Sequence, residues 1–352
     1  MKISLQNWER ARRLLEETPV ADLHLDLPGE LLMRHCMEEK NVIRTRYLPA
    51  WRRSGISLIG AAVYVENRYL PEAGLRNALL QIGALKRELS GLSGEIHLVR
   101  CREDLERACQ KESVGIFLYL EGLDALGEDV TLLSLFHELG VTGASLTWSR
   151  RNLLACGCCS ASQNKRKDGG ITEAGMRMVG EMRRLGMFLD ISHLNDEGME
   201  RMLTETELPI LATHSNARNV RFHYRNLTDA QIAMLAQRGG VIGLNACSYL
   251  AGSYGNGRHL EWLVRQAEYL IRQAGDCHTA LGLDLCRGYD LARRGLEAEE
   301  GQGDDCLAGY DELVLLAAAL LEDGTEPETV SRLFGGNAFA FLQKALPCQK
   351  KV

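Results

Sequence analysis

Short runs of β-branched and apolar residues recur along the chain. Each closes on a polar residue and leads into a longer stretch where apolar side chains return at spacings of three and four. The runs 20–25 (VADLHL), 57–65 (SLIGAAVYV), 114–120 (VGIFLYL), 142–147 (TGASLT), 187–192 (MFLDIS), 209–213 (PILAT), 240–244 (GVIGL) and 279–283 (TALGL) read as eight strands. The stretches 73–90, 173–185, 228–237 and 259–274 read as helices between them. A further run, Ile96–Val99, passes at once into a brief helical stretch and then to the better run at 114, so it is expected to stand outside the eight. The longest break, Arg150–Gly170, is rich in Gly, Ser, Cys and Lys and reads as a long βα loop rather than a linker. This order predicts an α/β fold: a single (β/α)8 TIM-type barrel domain over residues 1–352, with extra C-terminal helices from about 309 onward. A doubly wound sheet would normally show a Gly-rich phosphate loop after an early strand, and none is seen.

Composition narrows the function. The 352 residues are 45% hydrophobic and 25% charged, which excludes a disordered or low-complexity chain. A net charge of -6, with the two signs well mixed, gives no reason to expect nucleic acid as a partner. The apolar runs are too short to cross a bilayer as helices. The start, MKISLQNWERARRLLEE, lacks the apolar core of a secretory signal, so a cytoplasmic location without membrane association is expected. Most of the 11 Cys lie singly on helical or strand-like segments and read as reduced, packed thiols. Cys156, Cys158 and Cys159 form a tight cluster without a second pair, so no metal or redox centre is assigned to them.

The carboxyl ends of barrel strands converge on one mouth, so the residues that close the strands decide the chemistry. The first strand brings His24 and Asp26; the third, Glu121; the fifth, His193; the sixth, His214; the seventh, Asn245; the eighth, Asp284. His24 and Asp26 are two apart, and a strand points i and i+2 to the same face. Taken singly, each is more often a hydrogen-bonded structural residue; together, three imidazoles and two carboxylates match a two-ion zinc-type site. There a carboxylate can bridge the ions and a shared water becomes hydroxide near neutral pH. The other His residues (35, 97, 137, 259 and 278) fall in helical or connecting segments and read as surface or capping residues, while His223 sits in a loop near the mouth. Arg225, in the loop after the sixth strand, suits either a carboxylate clamp or a capping and surface role.

Over nearly its whole length the chain resembles the renal (membrane) dipeptidase family, zinc metallopeptidases of the amidohydrolase superfamily. The resemblance is carried by DLHLDLP at 22–28, LEG at 120–122, TWSRRN at 147–152, GITEAG at 170–175 and LGMFLDISHLND at 185–196. It continues through ATHSNARNV at 212–220, YRNLTDAQI at 224–232, GGVIGLN at 239–245, LGLD at 281–284 and LFGGNAFAFL at 333–342. It implies two zinc ions, one on His24 and Asp26, the other on His193 and His214, with Glu121 bridging. A metal-bridging hydroxide would attack the peptide carbonyl. Asp284 matches the acid that passes a proton to the leaving amine, and Arg225 the anchor for the substrate's C-terminal carboxylate. Trp148 and Asn245 join Arg225 as expected substrate contacts. The substrates implied are dipeptides with a free C-terminus, L,D-dipeptides included, and family members often form homodimers.

Two positions depart from the family pattern. Trp148 stands where animal members carry a His thought to bind the developing oxyanion, although bacterial members often have Trp there; its indole N–H can donate one hydrogen bond. The usual Asp-Phe-Asp-Gly run reads Asp284-Leu285-Cys286-Arg287, which puts a cation near the mouth that would either favour acidic substrates or point to solvent. The competing readings are another amidase or deaminase of the superfamily and a non-catalytic binding protein on the same barrel. Many of those enzymes bridge their metals with a carboxylated Lys on the fourth strand, and no Lys lies in 142–149. The convergent acids also speak against a barrel without chemistry, because buried charge is costly to keep.

Overall fold

A computed structural model describes residues 2–158, 169–252, 259–295 and 305–349. Among the described residues nine parallel strands run in chain order: β1 (Val20–Leu25), β2 (Ile56–Tyr64), β3 (Ile96–Leu98), β4 (Val114–Glu121), β5 (Val141–Ser145), β6 (Phe188–Asp190), β7 (Ile210–Ser215), β8 (Ile242–Leu244) and β9 (Thr279–Leu281). Eight of them close into a ring in the order β2-β1-β9-β8-β7-β6-β5-β4, sealed by the pairing of β2 with β4 from Leu58↔Gly115 to Tyr64↔Glu121. This is the expected (β/α)8 barrel. The strands read as continuous apolar runs because both faces are covered, the inner by the barrel's own side chains and the outer by helices.

The run at Ile96 stands outside the ring, for a reason visible in the register. β5 joins β4 only from Leu118↔Val141 upward, and β3 pairs with the lower part of β4, Val114–Ile116. It therefore covers a strand edge that would otherwise be exposed.

Phe117, Tyr119 and Phe188 fill the barrel interior together with Leu23 and Leu211. At the amino ends of the strands, the helix Asn337–Ala345 closes the floor, with Phe341 edge-on to Phe188 at 6.4 Å. Around β7 the strands lie unusually close. A Cβ on Gly243 or Gly282 would come within 1.9 or 1.8 Å of the Thr213 carbonyl oxygen, so these two positions accept no side chain without moving the strand that carries His214.

The strands end earlier than the hydropathy suggests at β5, β6 and β9. At β6 the reason is plain: the Asp190 side chain takes the Ser192 N–H and the Thr213 N–H, which ends the ladder and starts the loop that bears His193. Helices Gly74–Ser90, Glu173–Leu185, Asp229–Gln237 and Leu260–Ala274 match the periodic stretches, and Thr228 caps the third through a reciprocal pair with Gln231. No helix among the described residues is long and apolar enough to cross a membrane.

Candidate metal centre

Six titratable groups predicted from strand ends meet at the carboxyl mouth of the barrel. His24, Glu121 and His214 sit on β1, β4 and β7; Asp26, His193 and Asp284 come after β1, β6 and β9 within a few residues. His193 and Asp284 have left-handed backbones, with φ of 72° and 54°. Such conformations are uncommon for residues with a side chain, and their persistence at a strand end marks over-determined surroundings. For His193 those surroundings include its carbonyl accepting from the Cys158 N–H at 2.8 Å.

The ligand atoms converge. His193 Nε2 lies 2.9 Å from Glu121 Oε1 and 2.9 Å from His214 Nε2, which is 3.3 Å from the same Glu121 oxygen. His24 Nε2 is 3.3 Å from Asp284 Oδ1. Three overlapping sets (His24, Asp26, Glu121; Glu121, His193, His214; His24, His214, Asp284) each bring one ligand atom per residue within 4.8 Å of one another. Glu121 belongs to two of the sets, the position a bridging carboxylate would occupy.

Electrostatics make the cluster a cation site in waiting. Burial pushes the Asp26 carboxyl up to about 7, with Asp284 adding to the shift and His24 opposing it. Burial likewise holds Glu121 well above the carboxylate range, helped by Asp26 and Asp284. Burial drives His193 and His214 well below the usual imidazole range, and the Arg225 guanidinium adds to it. Both are thus neutral, as a metal ligand must be. His24 goes the other way: burial opposes its charge, but Asp284, Glu121 and Asp26 outweigh it and lift the ring to about 10. Asp284 is also penalised by burial, yet His24, Arg225 and the Asn245 amide carry it below its ordinary value. Asp26 Oδ1 is buried without a hydrogen-bond partner. Packed acids that resist ionisation, two neutral imidazoles and an orphaned carboxylate oxygen fit divalent ions of the zinc type.

The centre opens into a cleft of about 630 Å³ whose walls include Tyr64, Trp148, Arg225 and Tyr249. A larger crevice of about 820 Å³ lies at the amino ends of β2 and β4, but its rim charges are paired, as in Arg52–Glu95 and Arg53–Asp311, and it holds no ligand cluster among the described residues. Arg225 is buried and fixed: its guanidinium donates to Ser215 Oγ at 2.8 Å and to the His214 carbonyl. Trp148 stands between His193 and Tyr64, with ring centroids 5.6 and 5.2 Å away. Asn245 is fully buried behind Asp284, donating to its Oδ2 at 3.0 Å and accepting from the Cys247 N–H at 2.7 Å. Arg68 and Arg293 also line the mouth, paired with Glu66 and Asp290 at 2.7 and 3.0 Å. Arg287 does not line the cleft, and its backbone N–H donates to Asp305 at 3.2 Å. His223 lines the cleft. The other five His residues are half-buried rather than on the surface, and His137 and His278 bond to the carbonyls of Val141 and Gly240.

Sequence reasoning missed the layer behind the candidate ligands. His193 Nδ1 meets Ser149 Oγ at 2.7 Å, and the Cys158 thiol lies 3.4 Å from that oxygen. This gives part of the cysteine cluster a place, behind His193; Cys159 lies outside the described residues. His214 Nδ1 meets Thr213 Oγ1, and His24 Nδ1 meets the Tyr119 hydroxyl. Tyr119 had a readable signal: it is two residues before Glu121 on β4 and so shares its inward face.

The sequence model of the membrane dipeptidase family (Peptidase family M19) matches residues 8–351. The dipeptidase tcpJ of Claviceps purpurea is 27% identical over 272 residues, covering 77% of this chain and 60% of its own length. The chain thus spans about three fifths of that relative, and 51% of Dipeptidase 3 of Macaca fascicularis. Among solved structures, dipeptidase AC, a family M19 metallopeptidase, superposes with a TM-score of 0.81 at 27% identity, over 93% of this chain and 98% of that one. A metallopeptidase from Rhodobacter sphaeroides, bound to a phosphinate mimic of the dipeptide L-Ala-D-Ala, gives a TM-score of 0.80 at 26% identity, covering 93% and 99% of the two chains.

Proposed function

The chain belongs to the membrane dipeptidase family, peptidase family M19, and from that premise we propose that it is a zinc-dependent dipeptidase acting as one barrel domain. The observation that carries this reading is the sharing of Glu121 between two ligand sets that lie beside a fixed guanidinium and an ionised Asp284. His24 and Asp26 would hold one ion and His193 and His214 the other, with Glu121 between them. When bound, two divalent ions polarise a peptide carbonyl and acidify a shared water, which supplies the nucleophile.

The protein's own groups do the rest. Asp284 takes the proton from the attacking water at a carboxylate oxygen and returns it to the leaving amine, acting first as base and then as acid. Its depressed pKa suits the first of these steps. Arg225, held by Ser215 and the His214 carbonyl, receives the substrate's terminal carboxylate through parallel hydrogen bonds. The distance from this clamp to the centre is fixed, so it selects short peptides with a free C-terminus. Trp148 supplies a flat wall, and its indole N–H is a donor for the substrate. Asn245 acts through Asp284, holding its carboxylate in place.

The Rhodobacter relative carries an L,D-dipeptide mimic, and we extend that substrate class to this chain. The test is a panel of dipeptides with L- or D-residues at the C-terminal position, each free and amidated. Free dipeptides should be hydrolysed, D-residues tolerated, and amidated forms left intact. Arg225→Ala should raise KM for the free dipeptides by roughly 10- to 100-fold, the worth of a charged hydrogen bond, with a smaller effect on kcat. Equal turnover of amidated peptides, or an unchanged KM in the variant, would remove the clamp.

A further inference from the structure

The Nδ1 atom of His214, on β7, leads back through one hydroxyl to a carboxylate at the end of β6. Asp190, at the end of β6 and fully buried, accepts the Ser192 and Thr213 N–H groups at Oδ1, at 2.9 and 3.0 Å. Its Oδ2 accepts the Thr213 hydroxyl at 2.7 Å. A carboxylate accepts and does not donate, and a hydroxyl has a single proton. That proton is committed to Asp190, so Thr213 Oγ1 can offer His214 Nδ1, 2.7 Å away, only a lone pair. The imidazole must therefore carry its hydrogen on Nδ1, which leaves the lone pair on Nε2, the atom that faces Glu121 and His193.

The relay ends at His214. Tyr119 contacts both Thr213 Oγ1, at 3.4 Å, and His24 Nδ1, but the His24 ring faces the Asp284 carboxylate through Nε2, and Asp284, Glu121 and Asp26 favour its charged form. His193 is outside this chain of bonds, because its Nδ1 is held by Ser149.

We propose that Asp190, acting through Thr213, is a positioning residue that sets the ligand-ready tautomer of His214 and so tunes the loading of the ion position that His214 would share with His193. Metal-bound imidazoles commonly lean directly on a carboxylate or carbonyl; here the carboxylate reaches the ring through a threonine hydroxyl. The inference rests on the two-ion reading above but not on the identity of the substrate.

The test measures zinc affinity by chelator competition and imidazole 15N shifts in the metal-free protein, for the parent, Thr213→Val, Thr213→Ser and Asp190→Asn. Thr213→Val removes the hydroxyl at similar volume and should weaken zinc at the position His214 would hold by about 10- to 100-fold. His214 should lose the Nδ1–H signature while the His193 shifts stay as in the parent. Thr213→Ser should restore parental affinity and shifts. Asp190→Asn supplies a donor in place of an acceptor, which turns the Thr213 proton toward His214 and should favour the wrong tautomer, whatever the folding yield of the valine variant. Parental affinity in Thr213→Val and Asp190→Asn, or Thr213→Ser as weak as Thr213→Val, would overturn the inference alone. A parent that takes up no divalent ion would overturn the functional reading and this inference with it.

Discussion

Asp284→Asn is expected to lower kcat for dipeptide hydrolysis by about 10³-fold, the range for losing a positioned acid–base group, while the protein still takes up its metal. Asn matches Asp in shape, so the strained turn at φ 54° and the bond from Asn245 need not be rebuilt. What is lost is a group that can hold a proton. Asp284 Oδ1 stands 3.3 Å from His24 Nε2, and the site favours its ionised form, pulling it below its ordinary value although it is largely buried. Asp284 belongs to one of the three ligand sets, with His24 and His214, but the two sets built on Glu121 do not include it. Metal content measured alongside turnover separates the two roles. Activity within tenfold of the parent, at equal metal content, would contradict the proton-transfer role.

Glu121→Gln should have the second large effect, and on a different quantity. Glu121 is the one carboxylate in two ligand sets that both hold a β-strand imidazole and a loop residue, with one oxygen 2.9 Å from His193 Nε2 and 3.3 Å from His214 Nε2. Removing its charge should release metal that the parent retains. The associated loss of several kcal/mol of charge stabilisation corresponds to about 10³-fold or more in rate. The metal-free proteins should differ in the opposite sense in stability. In the folded chain burial holds the Glu121 pKa well above its unfolded value. The native state therefore keeps a proton that the unfolded state gives up as pH rises, and the parent loses stability from the carboxylate range upward. Glu121→Gln lacks that penalty, so it should gain on the metal-free parent as pH rises from about 4 to 7. Urea unfolding of the two chelated proteins across that range would show the difference widening; a constant difference would mean that Glu121 is not penalised by its burial.

The barrel was legible because its strands are long apolar runs separated by amphipathic helices, and the extra strand at Ile96 was legible from the shortness of the helical stretch between it and the run at 114. The clustering of the candidate ligands was legible for a geometric reason: strand ends in a barrel share one mouth, so residues far apart in sequence such as His24 and Asp284 can be grouped before any contact is known. The supporting layer was not. Asp190, Thr213 and Tyr119 look like ordinary strand residues, and their partnership depends on which hydroxyl faces which nitrogen across neighbouring strands, a relation that hydropathy does not carry. Asn245 shows the same limit, since its position at a strand end places it at the mouth but not whether it faces the cleft or the back of Asp284. The cysteine cluster was opaque for a related reason: Cys158 matters here for what it touches behind His193, and spacing alone says nothing of that.

The most direct test is to strip the protein with a chelator, titrate zinc back, and measure hydrolysis of an L,D-dipeptide. Activity should vanish on stripping and return with the binding of two equivalents per chain. Full activity in the stripped protein, or a protein holding two ions that hydrolyses no member of the dipeptide panel, would contradict a two-ion dipeptidase.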